Sequence, residues 1–235
     1  SKVELKKGSC QHVLEAVPVG LLDELSTVEL GGDFAAKVAV HVDSADLDAT
    51  KIDFDVQDGC RFGALPPILD LTRFMQPFMH RVLEPEGEIF EFETGPGSPA
   101  WTPIELISPF MLQAAVAHED GRFFTHHGFA EPEIAVALSR NLKSRAFRFG
   151  ASTITMQLVK NVFLHRDKLL SRKVQEAFIT WWLEQQWDKR RILELYLNVI
   201  EYGPGLYGIR NAAWHYFGTI PVSYTHLTLP TNREV

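Results

Sequence analysis

The chain of 235 residues contains only two cysteines, Cys10 and Cys60. So few exclude both a multiply bridged disulfide scaffold and a cysteine-based zinc site. It has no apolar run of about 18 residues, so no segment is expected to cross a bilayer as a helix. It has no internal repeat. It also lacks an initiating methionine and a signal peptide, because it starts at Ser1. The missing anchor is therefore read as a property of this stretch, with an anchoring segment expected upstream of it. What is present is ordinary for a folded protein. The composition is 46% hydrophobic and 23% charged, which rules out disorder and collagen-like sequence. The length gives one large domain or two small ones, with enough chain to bury a core.

Charge is unevenly placed. The net charge is −7, yet residues 1–100 carry 18 acids against 8 bases. Between Arg140 and Lys173 the balance reverses: nine bases face one acid, Asp167. A concentrated basic stretch in an acidic chain points to an anionic partner, with a solvated helix face as the plainer alternative. The stretch matches none of the common nucleic-acid-binding motifs, so no nucleic acid is expected. Phosphate and an anionic membrane surface both remain open on charge alone.

Three parts and a tail follow along the chain. Residues 1–61 read as β-rich. Phe34, Ala36, Val38, Val40 and Val42 fall at period two, as do Ile52, Phe54 and Val56, with Asp43, Asp46 and Asp48 in the turn between. The spacing of Leu14, Val17, Leu21, Leu22 and Leu25 predicts a helix over 13–25. Cys10 and Cys60 bracket this part and either pair, in an oxidising compartment, or stay as two buried thiols. Residues 62–100 form a Pro/Gly-rich connector with a short strand at Ile89–Phe92. From Pro109, placed where a helix tolerates proline, helical periodicity runs to about Trp187. A further helix is expected over 189–199, before Gly203, Pro204, Gly205 and Gly208 break the pattern. Residues 222–235 have no helix period and resemble translated sequencing-adaptor read-through, so His226 and Tyr224 receive no functional weight.

The residues that carry chemistry lie between His118 and Gly218. The first group is His118-Glu119-Asp120 ahead of Phe123, His126 and Gly128. Glu119 follows the apolar run 114–117, so a hydrophobic wall beside it is expected to raise its pKa and suit it to general-base work. A structural Glu-Asp cap is the plain alternative. Metal ligation by His118, His126 or His127 is not expected, since no helical His-x-x-x-His face exists. The second group, Gly150 to Asn161, reads as a helix start with Ser152 or Thr153 as N-cap. Such a start suits an anion, and Gln157 and Lys160 follow within two turns. In the third, Arg172 and Glu176 stand four apart on one helix face, which alone could be a surface ion pair.

Taken in order, these segments resemble the five motifs of the family 51 glycosyltransferases, the peptidoglycan transglycosylase domain. Glu119-Asp120-x-x-Phe123-x-x-His126-x-Gly128 resembles the first motif. Gly150–Asn161 resembles the second, with Met156 where the family has the first of two glutamines. Arg172-Lys173-x-x-Glu176 resembles the third, and Ile192-Leu193-Glu194-x-Tyr196-Leu197-Asn198 the fourth. The fifth runs from Gly203 through Tyr207-Gly208 to Tyr216-Phe217-Gly218. The resemblance covers residues 101–221. It implies an α+β chain: a mainly α-helical, lysozyme-like domain, C-terminally truncated, preceded by a smaller β-rich segment. Residues 1–61 resemble the amphipathic strands of AsmA-like envelope proteins.

The resemblance also implies a reaction. Family members polymerise lipid II into β-1,4 glycan strands with inversion and release of undecaprenyl pyrophosphate; moenomycin is the donor-site inhibitor. Inversion requires one base and a means of stabilising the leaving pyrophosphate. By position Glu119 is the base and Glu176 the second catalytic glutamate, which orients cations or donor. Lys160, Arg172 and Lys173 would hold pyrophosphate charge, and Asp120, Ser152, Thr153 and Gln157 would shape the substrate site. Arg140, Lys143, Arg145, Phe147, Arg148 and Phe149 would touch the membrane. No cofactor is required, although a divalent cation, Mg or Mn, could assist at the pyrophosphate. The implied partners are lipid II, the growing strand and the outer leaflet of the inner membrane, on its periplasmic face. Two rivals compete: a lysozyme-like muramidase with Glu119 as acid, and a non-catalytic envelope lipid-binding protein with a decayed transferase domain.

Overall fold

The computed structural model describes residues 2–83, 87, 89–146, 148–164 and 170–221. Its first third is built from strands. β1 (Lys2–Ser9), α1 (Cys10–Glu15), β2 (Leu30–Gly31), β3 (Asp33–His41), β4 (Lys51–Asp58) and β5 (Arg61–Phe62) follow in order. β1, β3 and β4 form an antiparallel sheet in the order β1-β3-β4, with Val38 opposite both Val3 and Phe54. The expected period-two run thus becomes the central strand. The expected helix over 13–25 does not form as one element. α1 ends at Glu15, and after Pro18 the chain makes single 3₁₀ turns at Val19–Leu21 and Asp23–Thr27, because proline fixes its φ and offers no N–H to continue the ladder. The two cysteines are disulfide-bonded, with Cα atoms 5.8 Å apart, tying the start of α1 to the residue before β5.

The connector contributes a hairpin of β6 (Phe78–Leu83) and β7 (Ile89–Thr94), in register from Phe78↔Thr94 to Leu83↔Ile89. The rest is helical: α2 (Pro109–Glu119), α3 (Glu131–Ser144), α4 (Ile154–Val162), α5 (Leu170–Gln186) and α6 (Lys189–Val199), then the small hairpin β8 (Glu201–Gly203) and β9 (Leu206–Tyr207), then α7 (Ile209–Phe217). The long helical period beginning at Pro109 is therefore cut into four helices. One cut passes through Gly128, at φ +89°, where a Cβ would lie 2.8 Å from Thr180 Cγ2. Only glycine fits that approach. α7 was not expected; it starts directly after Gly208, whose φ of +78° turns the chain into it.

α6 is the axis of the fold. Every residue from Ile192 to Val199 is buried, against α4 on one side and α7 on another. Ile154, Leu158 and Val159 of α4 and Ile179, Trp182 and Leu183 of α5 complete one continuous core. A stretch buried on all sides belongs at the centre of a domain rather than on its surface. Two polar residues on α6 fasten the connector to it. Asn198 exchanges hydrogen bonds with the backbone of Thr102, at 2.8 and 2.9 Å. Glu194 accepts from the Ile104 N–H at 3.2 Å and from Arg191 at 2.6 Å. Phe90 and Phe92 of β7 stack on Tyr207 at 5.1 and 5.5 Å. The result is an α+β chain with a β-rich N-terminal segment followed by helices, in keeping with a lysozyme-like domain.

Acids of the N-terminal region dock it onto the helices. Asp58 accepts from Trp181 Nε1 at 2.6 Å, Asp23 from Gln175 at 2.8 Å, and Asp48 pairs with Lys143 at 2.5 Å. The hydrogen bond and charge of Lys143 hold the Asp48 carboxyl below the usual carboxylate range.

Candidate active site

The site is assembled around the first turn of α4. Thr153 is its N-cap: Oγ1 accepts from the Met156 N–H at 3.2 Å and donates to the Gly128 carbonyl at 2.7 Å. A threonine in that place satisfies one of the helix's unpaired N–H groups. Ser152, the other candidate cap, is exposed. Asp120 supplies the next tie, with Oδ2 accepting from the Ile154 N–H at 3.0 Å. Its oxygens also receive His126 Nε2, 3.0 Å from each. The Gly128 N–H donates to His126 Nδ1 at 3.1 Å, so the ring proton resides on Nε2 and is donated to Asp120. Glu184 of α5 accepts from Thr155 Oγ1 and, at 2.8 Å, from Lys189. The first two motifs are thereby locked together. Asp120 and Thr153, expected to shape the substrate site, are buried and hold the first turn of α4.

Glu119 differs from its neighbour. It is the last residue of α2, and its side chain is 34% exposed. Of the run 114–117, Ala115 and Val116 are half-buried against the core and Ala114 and Ala117 are exposed, so no hydrophobic wall encloses Glu119 itself. The carboxylate is instead positioned by hydrogen bonds. His118 Nδ1 lies 2.8 Å from Oε1, and Gln157 Nε2 donates to Oε2 at 3.0 Å. Gln157 Oε1 in turn accepts from the Tyr196 hydroxyl at 3.2 Å. Burial, and then the negative charges of Glu119 and Asp120, push the Tyr196 phenol well above its ordinary value, so it stays a donor. Tyr196 was visible in the fourth motif but had been assigned no role. Its burial among apolar neighbours with a hydroxyl needing a partner was the available signal.

A second cluster sits on α5, which packs against α4. Glu176 is 2% exposed and takes Arg172 at 3.2 Å and Lys173 at 2.5 Å. A buried carboxylate between two cations fixes their heads, as an i,i+4 and i,i+3 pair on one face does. Lys160 lies on α4, three residues after Gln157, with a partner of its own.

The expected membrane segment is gathered by Asn141 at the end of α3. Its side chain accepts from the N–H groups of Arg148 and Phe149 at 2.8 and 2.9 Å and donates to the Phe149 carbonyl at 2.8 Å. Arg145 takes a left-handed conformation, φ 50°, to make the turn. Arg140 lies 5.7 Å over the exposed Phe149 ring. Lys143 points elsewhere, to Asp48. Phe147 lies outside the described residues, as do 222–235.

Chemically this is a site with one accessible carboxylate held in place and a separate, ordered group of cations, as an in-line displacement with an anionic leaving group requires. Among the described residues no cluster of three His, Cys, Asp or Glu side chains could hold a metal ion.

Comparison with known proteins agrees with that class. Residues 87–231 match the Transglycosylase family, and the chain belongs to it. It is similar to a biosynthetic peptidoglycan transglycosylase of Nitrosomonas eutropha, 52% identical over 123 residues that make up 52% of this chain and 50% of the relative. A protein of the same name from Aeromonas hydrophila is 43% identical over 153 residues, 63% of each chain. One from Nitrosospira multiformis is 51% identical over 118 residues, 50% of this chain and 51% of the relative. The chain thus spans about half the length of the Nitrosomonas and Nitrosospira relatives.

Proposed function

We propose that the chain carries the catalytic part of a peptidoglycan glycosyltransferase, which polymerises lipid II into β-1,4 glycan strands and releases undecaprenyl pyrophosphate. The observation that carries this reading is the pairing of a partly open, hydrogen-bond-fixed Glu119 with the Arg172–Glu176–Lys173 cluster on the helix packed against α4. Glu119 accepts the proton of the acceptor 4-hydroxyl as that oxygen forms a bond to the donor's anomeric carbon. The bond from that carbon to the phosphate oxygen breaks, and its electron pair leaves with the pyrophosphate. Lys160, Arg172 and Lys173 stabilise the departing charge, arginine through two parallel N–H bonds and lysine as a point charge. Glu176 keeps the two cations aimed rather than moving a proton. Ser152, exposed just before α4, contacts the substrate, while Gln157 shapes the site by holding the base from within.

A divalent cation, Mg or Mn, would enter on the pyrophosphate rather than in a protein site, because the residues around it are cationic and no donor cluster exists among those described. The exposed Leu142 and Phe149, with Arg140, Arg145 and Arg148, would touch the anionic outer leaflet of the inner membrane. No helix among the described residues is long and apolar enough to cross it. The disulfide supports a place on the oxidising, periplasmic side.

The test is conversion of fluorescent lipid II in vesicles, with and without moenomycin. Glycan strands that moenomycin suppresses are the expected product. Cleavage of preformed glycan without polymerisation would favour the muramidase, and saturable lipid II binding without product would favour the binding protein.

A further inference from the structure

A cavity of about 1000 Å³ lies between the N-terminal strands and the helices. Its lining includes none of Glu119, Gln157, Lys160, Arg172 or Glu176. It is therefore distinct from the site around Glu119, and His126 on its wall is bonded to Asp120. Protein interiors leave few voids larger than a water molecule, and this one reaches the upper end of the range for ligand pockets.

The wall is built from both regions: Val13, Leu14, Phe34 and Val56 from the N-terminal side, Phe129 and Phe178 from the helical side. The disulfide forms part of it. Of the polar side chains in the lining, Arg122, His127 and Glu131 are exposed to solvent, and three others have their hydrogen bonds already committed. Asp58 accepts from Trp181, from Gln185 at 3.0 Å and from the Cys60 N–H at 3.0 Å. His126 uses both ring nitrogens, on Asp120 and Gly128. Glu184 is taken by Thr155 and Lys189. A sugar or peptide entering here would give up its water and find these groups spoken for. A hydrocarbon makes no such demand and would bury apolar surface against Val13, Leu14, Phe34, Val56, Phe129 and Phe178.

We propose that this cavity binds a single long hydrocarbon chain, with any polar head left in solvent at the half-open mouth. The floor it would rest on, His126 and Glu184, consists of the same side chains that hold the first turn of α4. The proposal does not depend on the transferase reading, since binding is measured without substrate turnover.

Trp181 lines the cavity, so a brominated stearic acid bound there must quench it. Saturable quenching near one equivalent is expected, absent with unbrominated stearate and largely removed by Trp181→Phe. Val13→Phe together with Val56→Phe fills the space from the N-terminal side and is expected to weaken binding by about tenfold or more. Circular dichroism and the intact disulfide show that the doubly substituted chain is folded. Displacement of the brominated probe by undecaprenyl phosphate at far lower concentration than by stearate would assign the site to isoprenoid lipids, and the reverse order to acyl lipids; either supports a hydrocarbon site. Linear quenching, undiminished quenching in Trp181→Phe or unchanged affinity in the filled variant overturns it. So does pairing of the chain, seen by sedimentation, that alone abolishes quenching, because a second copy would then occupy the cavity.

Discussion

Glu119 and Glu176 are both glutamates near the same helix, yet their surroundings are opposite. Glu119 ends α2 with its side chain 34% exposed and is held by the side chains of His118 and Gln157. Glu176 lies in the middle of α5, 2% exposed, between Arg172 and Lys173. A base has to meet a hydroxyl from outside and keep lone pairs in reserve, so it stands at a helix end, propped by an amide and an imidazole. A carboxylate that aims cations has to be fixed, and burial between two of them achieves that. Position in the fold, more than residue type, separates the group that moves a proton from the group that holds charge in place.

The largest expected effect is on turnover, at the open end of this comparison. Glu119→Gln keeps the hydrogen-bonding shape and removes the base, so lipid II polymerisation should fall about a thousandfold, within the range for general-base catalysis. The melting temperature should be nearly unchanged, because the side chain is partly solvated and leaves no buried charge. Polymer yield equal to the unsubstituted chain would remove Glu119 from the role. Glu176→Ala should do the reverse in kind. Removing one partner of a buried ion cluster should cost about 3 kcal/mol of unfolding free energy. Lys173 regains water more easily than Arg172, because its side chain is 48% exposed against 19%. Denaturant titration showing no loss of stability would mean that Glu176 is not the buried anchor described here.

How much of this was legible beforehand differs between the two glutamates as well. The i,i+4 relation of Arg172 and Glu176 is local, and helical spacing alone places them together. The cap of α4 is local as well: the sequence left it to Ser152 or Thr153, and the structure takes Thr153. The Glu119–Gln157 contact spans 38 residues, and only the motif resemblance suggested it. The Gln157–Tyr196 bond spans 39 and was not foreseen, because one phenol among many buried aromatics carries no mark of its partner. Asp120 was read from its place in the first motif as shaping the substrate site; one residue after Glu119 the chain has left α2, and the carboxylate turns inward to Ile154. β1 and α7 escaped for different reasons. β1 is exposed on both faces over most of its length, so it shows no buried period. The glycines at 203, 205 and 208 masked α7, although Ile209, Ala212 and Ala213 have helical spacing.

Tyr196→Phe tests how much the second layer behind Glu119 matters. The ring stays packed and only the hydroxyl bond to Gln157 is lost. One neutral hydrogen bond contributes about 1 kcal/mol, so turnover should fall roughly fivefold with little change in substrate affinity. Rescue does not come from the other oxygen of Glu119, since Gln157 alone links it to the core. A fall in affinity without a fall in turnover would instead mean that Gln157 and Tyr196 hold substrate.

His118→Ala should have the smallest effect, and the reason sharpens the contrast between the two glutamates. His118 is as close to Glu119 as Gln157 is, at 2.8 Å, but its side chain is 84% exposed. A contact between exposed groups competes with water and costs side-chain freedom to maintain, so it contributes only a few tenths of a kcal/mol. Turnover should remain within about twofold of the unsubstituted chain, while Gln157→Ala, which cuts the buried side of the same carboxylate, should lower it more. Steady-state polymerisation rates of the two variants, taken side by side, decide the matter. A larger loss for His118→Ala than for Gln157→Ala would place the orientation of the base on its solvent side. The comparison drawn between an open glutamate propped from within and a closed one clamped by cations would then fail at its first member.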